Sequence, residues 1–420
     1  MALALQDIRI VDLSRIWAGP YGTKLLADMG AEIVKIEALD RLDPHRGAVR
    51  PQAGTGNYPD GEPGHDPWNR NGWFNSLHQN KYGITLDLSR PQGKEVFREL
   101  IAMSDVVIEN FRRGVLDKLG FTYEELRKIR PDIVVVSMPA FGNKGIWKDY
   151  IQYGIGQEQL AGVDSMGGYS AVEGPIKSGI NHGDPITGSH AAGAILASLM
   201  YRRRTGKSVF IDLSQLDSSI SLMGEHLLDF QMSGENPTTT GNQHDSFAPQ
   251  GVFPCSGEDE WVAISVTSDS EWQKFAEAIG HPSIGLDTRF ADSLSRKQNE
   301  SELFPLITEW TKNKNKFEIT NTLQTAGIPT APVMTNEDIY DDPHYQSRSL
   351  MEISDHPSTD IQLLPGVGWK MSKTTGAIRW HAPRLGEHNE FIFRDLVGLS
   401  NDYIAGLINE GVSGTQPVGA

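Results

Sequence analysis

A single cysteine, Cys255, stands among 420 residues, so no disulfide can close within the chain. Its expected role is that of a small buried apolar residue. Long apolar runs are missing, and no stretch approaches the eighteen or so residues that a membrane-spanning helix needs. The opening residues, MALALQDIRIVDLS, carry neither a basic stretch nor a long apolar core, which makes the cytoplasm the expected location. Positive charge is scarce: 38 Lys and Arg face 54 Asp and Glu, a formal net charge of -16. That balance disfavours broad binding to nucleic acid or to an anionic membrane, while leaving room for a local basic pocket. Internal repeats and low-complexity tracts are absent. His182 and His190 have no clustered ligand partners, so no metal is expected.

Two phosphate-binding look-alikes also fall short. Thr205-Gly206-Lys207-Ser208 resembles the end of a P-loop, but the leading glycine that motif needs would be residue 201, which is Tyr. Gly154-Ile155-Gly156-Gln157 lacks the third glycine of a dinucleotide fingerprint and has no clear strand before it.

What is present reads as a globular chain long enough for two domains, with 38% hydrophobic and 22% charged residues. Ile8–Leu13 has strand character. A turn-rich loop follows at Ala18–Gly22, then a helix through Leu25, Leu26 and Met29, then the alternating strand AEIVKIE at 31–37. This βαβ unit implies a parallel sheet, whose ligands sit at the carboxyl ends of the strands. Residues 40–73 read as a long surface loop. Strands are expected at Gly83–Leu88, Val106–Ile108 and Asp132–Met138, and helices at Pro91–Met103 and Tyr123–Ile129. A helix over Ile220–Met232 leads to paired strands at Gly251–Cys255 and Trp261–Val266, then to helical segments as far as about 325. A helix over Leu396–Glu410 closes the chain, and GVSGTQPVGA is expected to be a mobile tail. The expected fold class is α/β. One α/β domain is expected from 1 to about 215, and a smaller α+β domain spans 225–335.

The most informative stretch is Gly174–Ser219. Ala192, Ile195, Leu196, Leu199 and Met200 recur at i, i+3, i+4, i+7 and i+8, which predicts a helix with one buried face. Thr187 or Ser189 could cap its start, Arg202–Arg204 suit its negative end, and Gly206 suits its stop. Asp184 is then held in a loop just before a helix N-terminus. Taken alone, Gly183-Asp184-Pro185 is ordinary turn chemistry. The chemical alternative is a carboxylate nucleophile.

The segment SGINHGDPITGSHAAGAILASLMYRRRTGKSVFIDLSQLDS resembles the most recognisable part of the class III CoA-transferases, the formyl-CoA and carnitine type. Three further regions resemble that family in the same order. They are IRIVDLSRIWAGPYGTKLLADMGAEIVKIE, ENFRRGVLDKLGFTYEEL, and the pair AGIPTAPVMTNEDIYDDP and LGEHNEFIFRD. The resemblance implies a Rossmann-like large domain begun by residues 1–224, and an interlocked dimer in which residues 336–420 return to complete that domain. It implies CoA transfer from an acyl-CoA donor such as succinyl-CoA to a free carboxylic acid, without a metal. Asp184 falls on the catalytic aspartate. Asn110, Phe111, Arg112 and Lys118 fall where the family contacts the nucleotide, and Trp17 and Ala18 where it contacts the pantetheine end. Leu86, with Asp87, falls on a strand used around CoA.

The resemblance also implies the mechanism, in which aspartyl anhydride and aspartyl-CoA thioester intermediates keep the thioester's energy. Two alternatives share the fold. An α-methylacyl-CoA racemase would carry a histidine motif where this chain has Gln152-Tyr153-Gly154-Ile155. A CoA-binding, non-catalytic subunit would pair with a paralogous chain in a heteromer, in place of a homodimer. The glutamate that the family often places near the aspartate is not evident around Tyr153-Gly154.

Overall fold

The computed structural model describes residues 3–52, 54–169 and 173–420. The chain divides into two units, one of Met1–Val163, Gly179–Leu227 and Gln346–Ala420, the other of Asp164–Ser178 and Leu228–Tyr345.

The first unit is built on strands and helices in this order: β1 (Arg9–Asp12), α1 (Ala18–Asp28), β2 (Glu32–Glu37), β3 (Lys81–Thr85), α2 (Pro91–Ala102), β4 (Val106–Glu109), α3 (Val115–Lys118), α4 (Tyr123–Ile129), β5 (Val134–Ser137), α5 (Gly154–Leu160), α6 (Gly183–Thr205), β6 (Val209–Asp212) and α7 (Gln215–Ile220). The six strands form one sheet in the order β3-β2-β1-β4-β5-β6, and every pairing is parallel. This is the doubly wound order, whose direction reverses between β1 and β4 and opens a crevice at their carboxyl ends. The central strands β4 and β5 are buried on both faces, as a covered parallel sheet requires. Val11, Val34, Val107 and Val135 face a core with Phe97, Leu100, Phe121 and Phe393. Ile10, Ile33, Val106 and Val134 face α1 and α6 through Leu26, Ala191 and Ile195.

The second unit has its own antiparallel sheet of β7 (Gln250–Pro254), β8 (Trp261–Ser265) and, further on, β9 (Thr330–Pro332). Helices α8 (Asp269–Ala278), α9 (Glu300–Thr311) and α10 (Lys316–Thr325) come between β8 and β9. Its core gathers Phe253, Val262, Trp272, Phe275, Ile307 and Leu323. The chain then rejoins the first unit through the hairpin β10 (Met351–His356) and β11 (Asp360–Pro365) and ends in α11 (Asn401–Asn409) and a closing segment.

Several expectations are corrected. Ala18–Gly22 is not a loop but the first turn of α1. Pro20 fits there because the first turn needs no amide donor. β3 ends at Thr85, since its pairing with β2 stops at Glu37↔Thr85, so Leu86 and Asp87 lie just past the strand. The Ile220–Met232 helix is interrupted by a tighter turn at Ser221–Met223. The closing segment is tied down: the Asp87 amide donates to the Val412 carbonyl at 2.9 Å, and the Thr85 hydroxyl donates to the Gly414 carbonyl at 2.6 Å. With Asn389 accepting the Thr85 amide at 2.8 Å, these residues cover the open edge of β3.

Candidate active site

A cavity of about 700 Å³ lies within the first unit, over the carboxyl ends of β1 to β5. Its wall collects Leu13, Arg15, Ile16 and Trp17 after β1, Glu37 and Ala38 of β2's end, Leu86–Ser89 after β3, Asn110–Arg113 after β4 and Pro139–Phe141 after β5. The start of α5, together with Asn181, Asp184 and Gln215, completes it.

Asp184 is the second residue of α6, so the helix begins before it rather than after it. Neither Thr187 nor Ser189 caps that start. Both hydroxyls donate one turn back, to the carbonyls of Gly183 at 2.7 Å and Pro185 at 2.9 Å. The expected buried face is also rotated: Ala191, Ala192 and Ile195 are buried, while Leu196 and Met200 are exposed. Gly206 does end the helix, in the left-handed conformation that favours glycine.

What aims Asp184 into the cavity is a close crossing of α1 and α6. A Cβ on Gly188 would lie 2.5 Å from the Ala18 carbonyl oxygen, and one on Gly22 would lie 2.6 Å from the Gly188 carbonyl oxygen. Only hydrogen at both positions lets the helix backbones approach this far. The approach brings the Ala18 amide to the side of the Asp184 carboxylate, where it favours the charged form. On the other side, a Cβ on Gly154 would lie 2.3 Å from Asp184 Oδ2. The bare Gly154 therefore supplies the space that the carboxylate occupies. Asp184 is 7% exposed. Burial first, and the nearby Glu158 charge second, push its pKa up to about 6, against the stabilising Ala18 N–H.

The loop from β1 into α1 is held by buried charge. Ile16 has φ 69°, a left-handed conformation that a β-branched residue rarely adopts. Its amide donates to both Asp43 carboxylate oxygens, at 3.1 and 3.2 Å. Asp43 is fully buried and pairs with Lys35 at 3.5 Å, while Lys35 Nζ also donates to the Ser14 carbonyl. Beside them, Asp12 meets Lys81 at 3.4 Å and Glu37 meets Arg46 at 2.8 Å. Burial opposes the charge on Asp12, but Lys81, Lys35 and the hydroxyls of Ser14 and Thr23 hold its pKa below the usual range. Lys81 is pushed down to about 8, chiefly by its burial.

The residues singled out from sequence converge here with two exceptions. Trp17, Leu86, Asn110, Phe111, Arg112 and Asp184 all line the cavity. Ala18 acts behind the wall, through its amide. Lys118 is exposed at the end of α3 and does not line the cavity. Asn110 has both ends of its amide on the Arg15 backbone, accepting at 2.7 Å and donating at 2.8 Å, and so ties the β1 and β4 loops together. Phe111 also packs against the core beneath the sheet.

Sequence reasoning missed Arg15, Arg41, His45, Trp73 and Lys148, which add cations and aromatic surface to the wall. Trp73 meets Trp17 edge-on at 5.9 Å and His45 at 5.1 Å. Arg41, His45 and Trp73 come from the long 40–73 segment, where no periodicity signals position. Glu158 was also missed, because no helix was expected over the Gly154–Leu160 segment that carries it. Among the described residues, no group of three His, Cys, Asp or Glu side chains is arranged to hold a metal, and no helix is long and apolar enough to cross a membrane.

Comparison with known proteins places this geometry. A family model described as CoA-transferase family III matches residues 5–389. The succinyl-CoA–D-citramalate CoA-transferase of Chloroflexus aurantiacus is 31% identical over 402 residues, covering 96% of this chain and 96% of that protein. The succinyl-CoA:mesaconate CoA-transferase of Haloarcula hispanica is 34% identical, covering 92% and 94%. A crystal structure of a CAIB/BAIF family protein from Brucella suis superposes with a TM-score of 0.82 at 29% identity, over 94% of this chain and 100% of that one.

Proposed function

The chain belongs to CoA-transferase family III, and on that premise we propose that it moves coenzyme A from an acyl-CoA thioester to a free carboxylic acid through covalent intermediates on Asp184. Succinyl-CoA is the proposed donor, in keeping with the names of the relatives, and a small organic acid the acceptor.

One observation supports this reading above the others. A buried carboxylate with a raised pKa faces a cavity at the sheet's switch point, with one oxygen against a glycine and the Ala18 amide beside it. A carboxylate poised near neutral pH is ionised enough to attack and basic enough to be a competent nucleophile.

The steps balance as follows. An Asp184 oxygen attacks the donor carbonyl carbon, the C–S bond breaks, and CoA leaves as thiolate. The thiolate attacks the Asp184 carbonyl of the mixed anhydride and expels the donor carboxylate, leaving an aspartyl-CoA thioester. The acceptor carboxylate attacks that thioester and again releases thiolate. The thiolate then attacks the acceptor's carbonyl, and Asp184 departs as carboxylate. The Ala18 N–H and the first turn of α6 would stabilise the oxyanions. For the nucleotide, Phe111 would pack the adenine, with Arg112 and, at the outer edge, Lys118 toward the phosphates. Trp17 and Ala18 would flank the pantetheine end, above Leu86 and Asn110. The racemase alternative has no support here, because Tyr153 and Gly154 offer no imidazole beside Asp184. The working form is proposed to be a homodimer.

Wild-type protein incubated with succinyl-CoA alone should gain a CoA mass localised to the peptide containing Asp184. Asp184→Ala should lose the adduct and at least a thousandfold in transfer rate. An Asp184→Ala enzyme that transfers CoA at the wild-type rate would sink the proposal.

A further inference from the structure

We propose that Glu158 is a positioning residue for Asp184: its carboxylate gathers the first backbone amides of α6 and keeps a second negative charge beside the nucleophile, so that acylation of Asp184 relieves a repulsion built into the resting site. The inference rests on the reading of Asp184 as nucleophile.

Glu158 sits on α5 and is 1% exposed. Its Oε1 accepts the amide of His182 and, at 3.3 Å, that of Gly183. α6 has no side-chain cap of its own, so Glu158 supplies from another helix the acceptor that a helix start needs. Gly154 is one turn earlier on α5, at the i, i+4 spacing that puts both on one face. From that face, one residue leaves space for the Asp184 carboxylate and the other fixes the turn that carries it.

A neutral acceptor would also satisfy those amides, though with weaker bonds, so a charge exceeds what capping alone requires. The favourable field of the helix start offsets part of the cost of burying it. Its further effect falls on Asp184, whose proton affinity rises with the Glu158 charge after burial has raised it. Other ionisable groups belong to the elements packed on α6. Tyr21, Lys24 and Asp28 are on α1, Asp217 is on α7, Asp212 is on β6, and His182 precedes the helix. Lys24 and Asp28 neutralise each other at 2.6 Å, and the His182 ring lies 3.7 Å from Glu158. When Asp184 forms its bond to the acyl carbon and the C–S bond breaks, the negative charge moves from the buried carboxylate to the departing sulfur. The repulsion with Glu158 ends at that step, which favours the covalent state over the resting one.

Glu158→Gln keeps an acceptor for the amides and removes the charge, whereas Glu158→Ala removes both. Two readouts separate scaffold from charge. The first is the midpoint of Asp184 ionisation, followed by carbon-13 NMR of labelled aspartate in substrate-free protein, with Asp184→Asn to assign the signal. The second is the fraction of protein carrying the CoA adduct at saturating succinyl-CoA without acceptor. Glu158→Gln should lower the midpoint by half a pH unit or more and the adduct fraction several-fold, while Glu158→Ala should also lower activity at every pH. A Glu158→Gln protein with the wild-type midpoint and wild-type adduct fraction overturns the proposal. So does one that loses activity uniformly with no shift in midpoint, since that is the signature of a scaffold alone. Failure of the underlying reading looks different, because wild type itself would then form no adduct.

Discussion

Asp184 illustrates what a buried carboxylate costs its protein. Its folded pKa of about 6 lies above the ordinary value of 3.8. Its contribution to stability is therefore greatest below the ordinary value and is lost as pH rises through about 6. Asp184→Asn should remove that penalty. The variant is expected to be inactive yet more stable than wild type at pH 7.5, by up to about 3 kcal/mol, with the difference shrinking toward pH 4.5. Calorimetry of both proteins at several pH values checks this, and a difference that stays flat with pH would refute it. Glu109 is pushed in the same direction, to about 7, by burial against its hydrogen bonds with Ser137 and Phe111. At this scale, Asp184, Asn110, Phe111 and Arg112 were singled out only through family resemblance, since each taken alone is ordinary turn or strand-exit chemistry, and all four line the cavity. Trp73, His45 and Arg15 were not singled out, because their placement depends on buried pairs such as Lys35–Asp43 that link distant parts of the chain.

Among the elements, the crossing of α1 and α6 decides whether the site exists. Gly188→Ala would drive a Cβ to within 2.5 Å of a backbone oxygen and 2.9 Å of the Gly22 nitrogen, and neither atom is the end of a flexible side chain. The helices must separate, at a cost of about 1–3 kcal/mol. The Ala18 amide then withdraws from Asp184. A drop in kcat of tenfold or more is expected, with a stability loss that leaves the protein folded at 25 °C. Gly406→Ala, in α11 with no heavy atom within 4 Å, is the control and should be neutral or slightly stabilising. Equal kinetics in the two variants would show that the crossing does not position the site. Periodicity revealed α6 but not which of its faces is buried, since the contact with α1 is made by glycines and alanines rather than by Leu196 and Met200. The first turn of α1 was read as a loop for the same reason: Gly19, Pro20 and Gly22 are loop-like in isolation and are accepted in the helix because of what crosses it.

At the scale of the whole molecule, the first unit leaves apolar side chains exposed: Leu196, Met200 and Tyr201 on α6, Phe210 on β6, and Ile353 and Ile361 on the β10–β11 hairpin. β6 is also an edge strand of the sheet, and an uncovered edge beside apolar side chains invites a partner. The parallel order of the sheet was legible from strand–helix alternation. A return of residues 336–420 was expected from family resemblance, and Gln346–Ala420 lie in the first unit; no local pattern encodes contacts across three hundred residues, such as Thr85 with Asn389. The proposed homodimer makes two predictions. Light scattering at micromolar concentration should give the mass of two chains. If the chains interlock, dissociation requires unfolding, so two differently tagged preparations mixed at 25 °C should exchange no subunits over a day, while co-expression should yield the hybrid. A monomer by light scattering would rule out the dimer, and rapid exchange after mixing would leave a dimer whose chains merely dock.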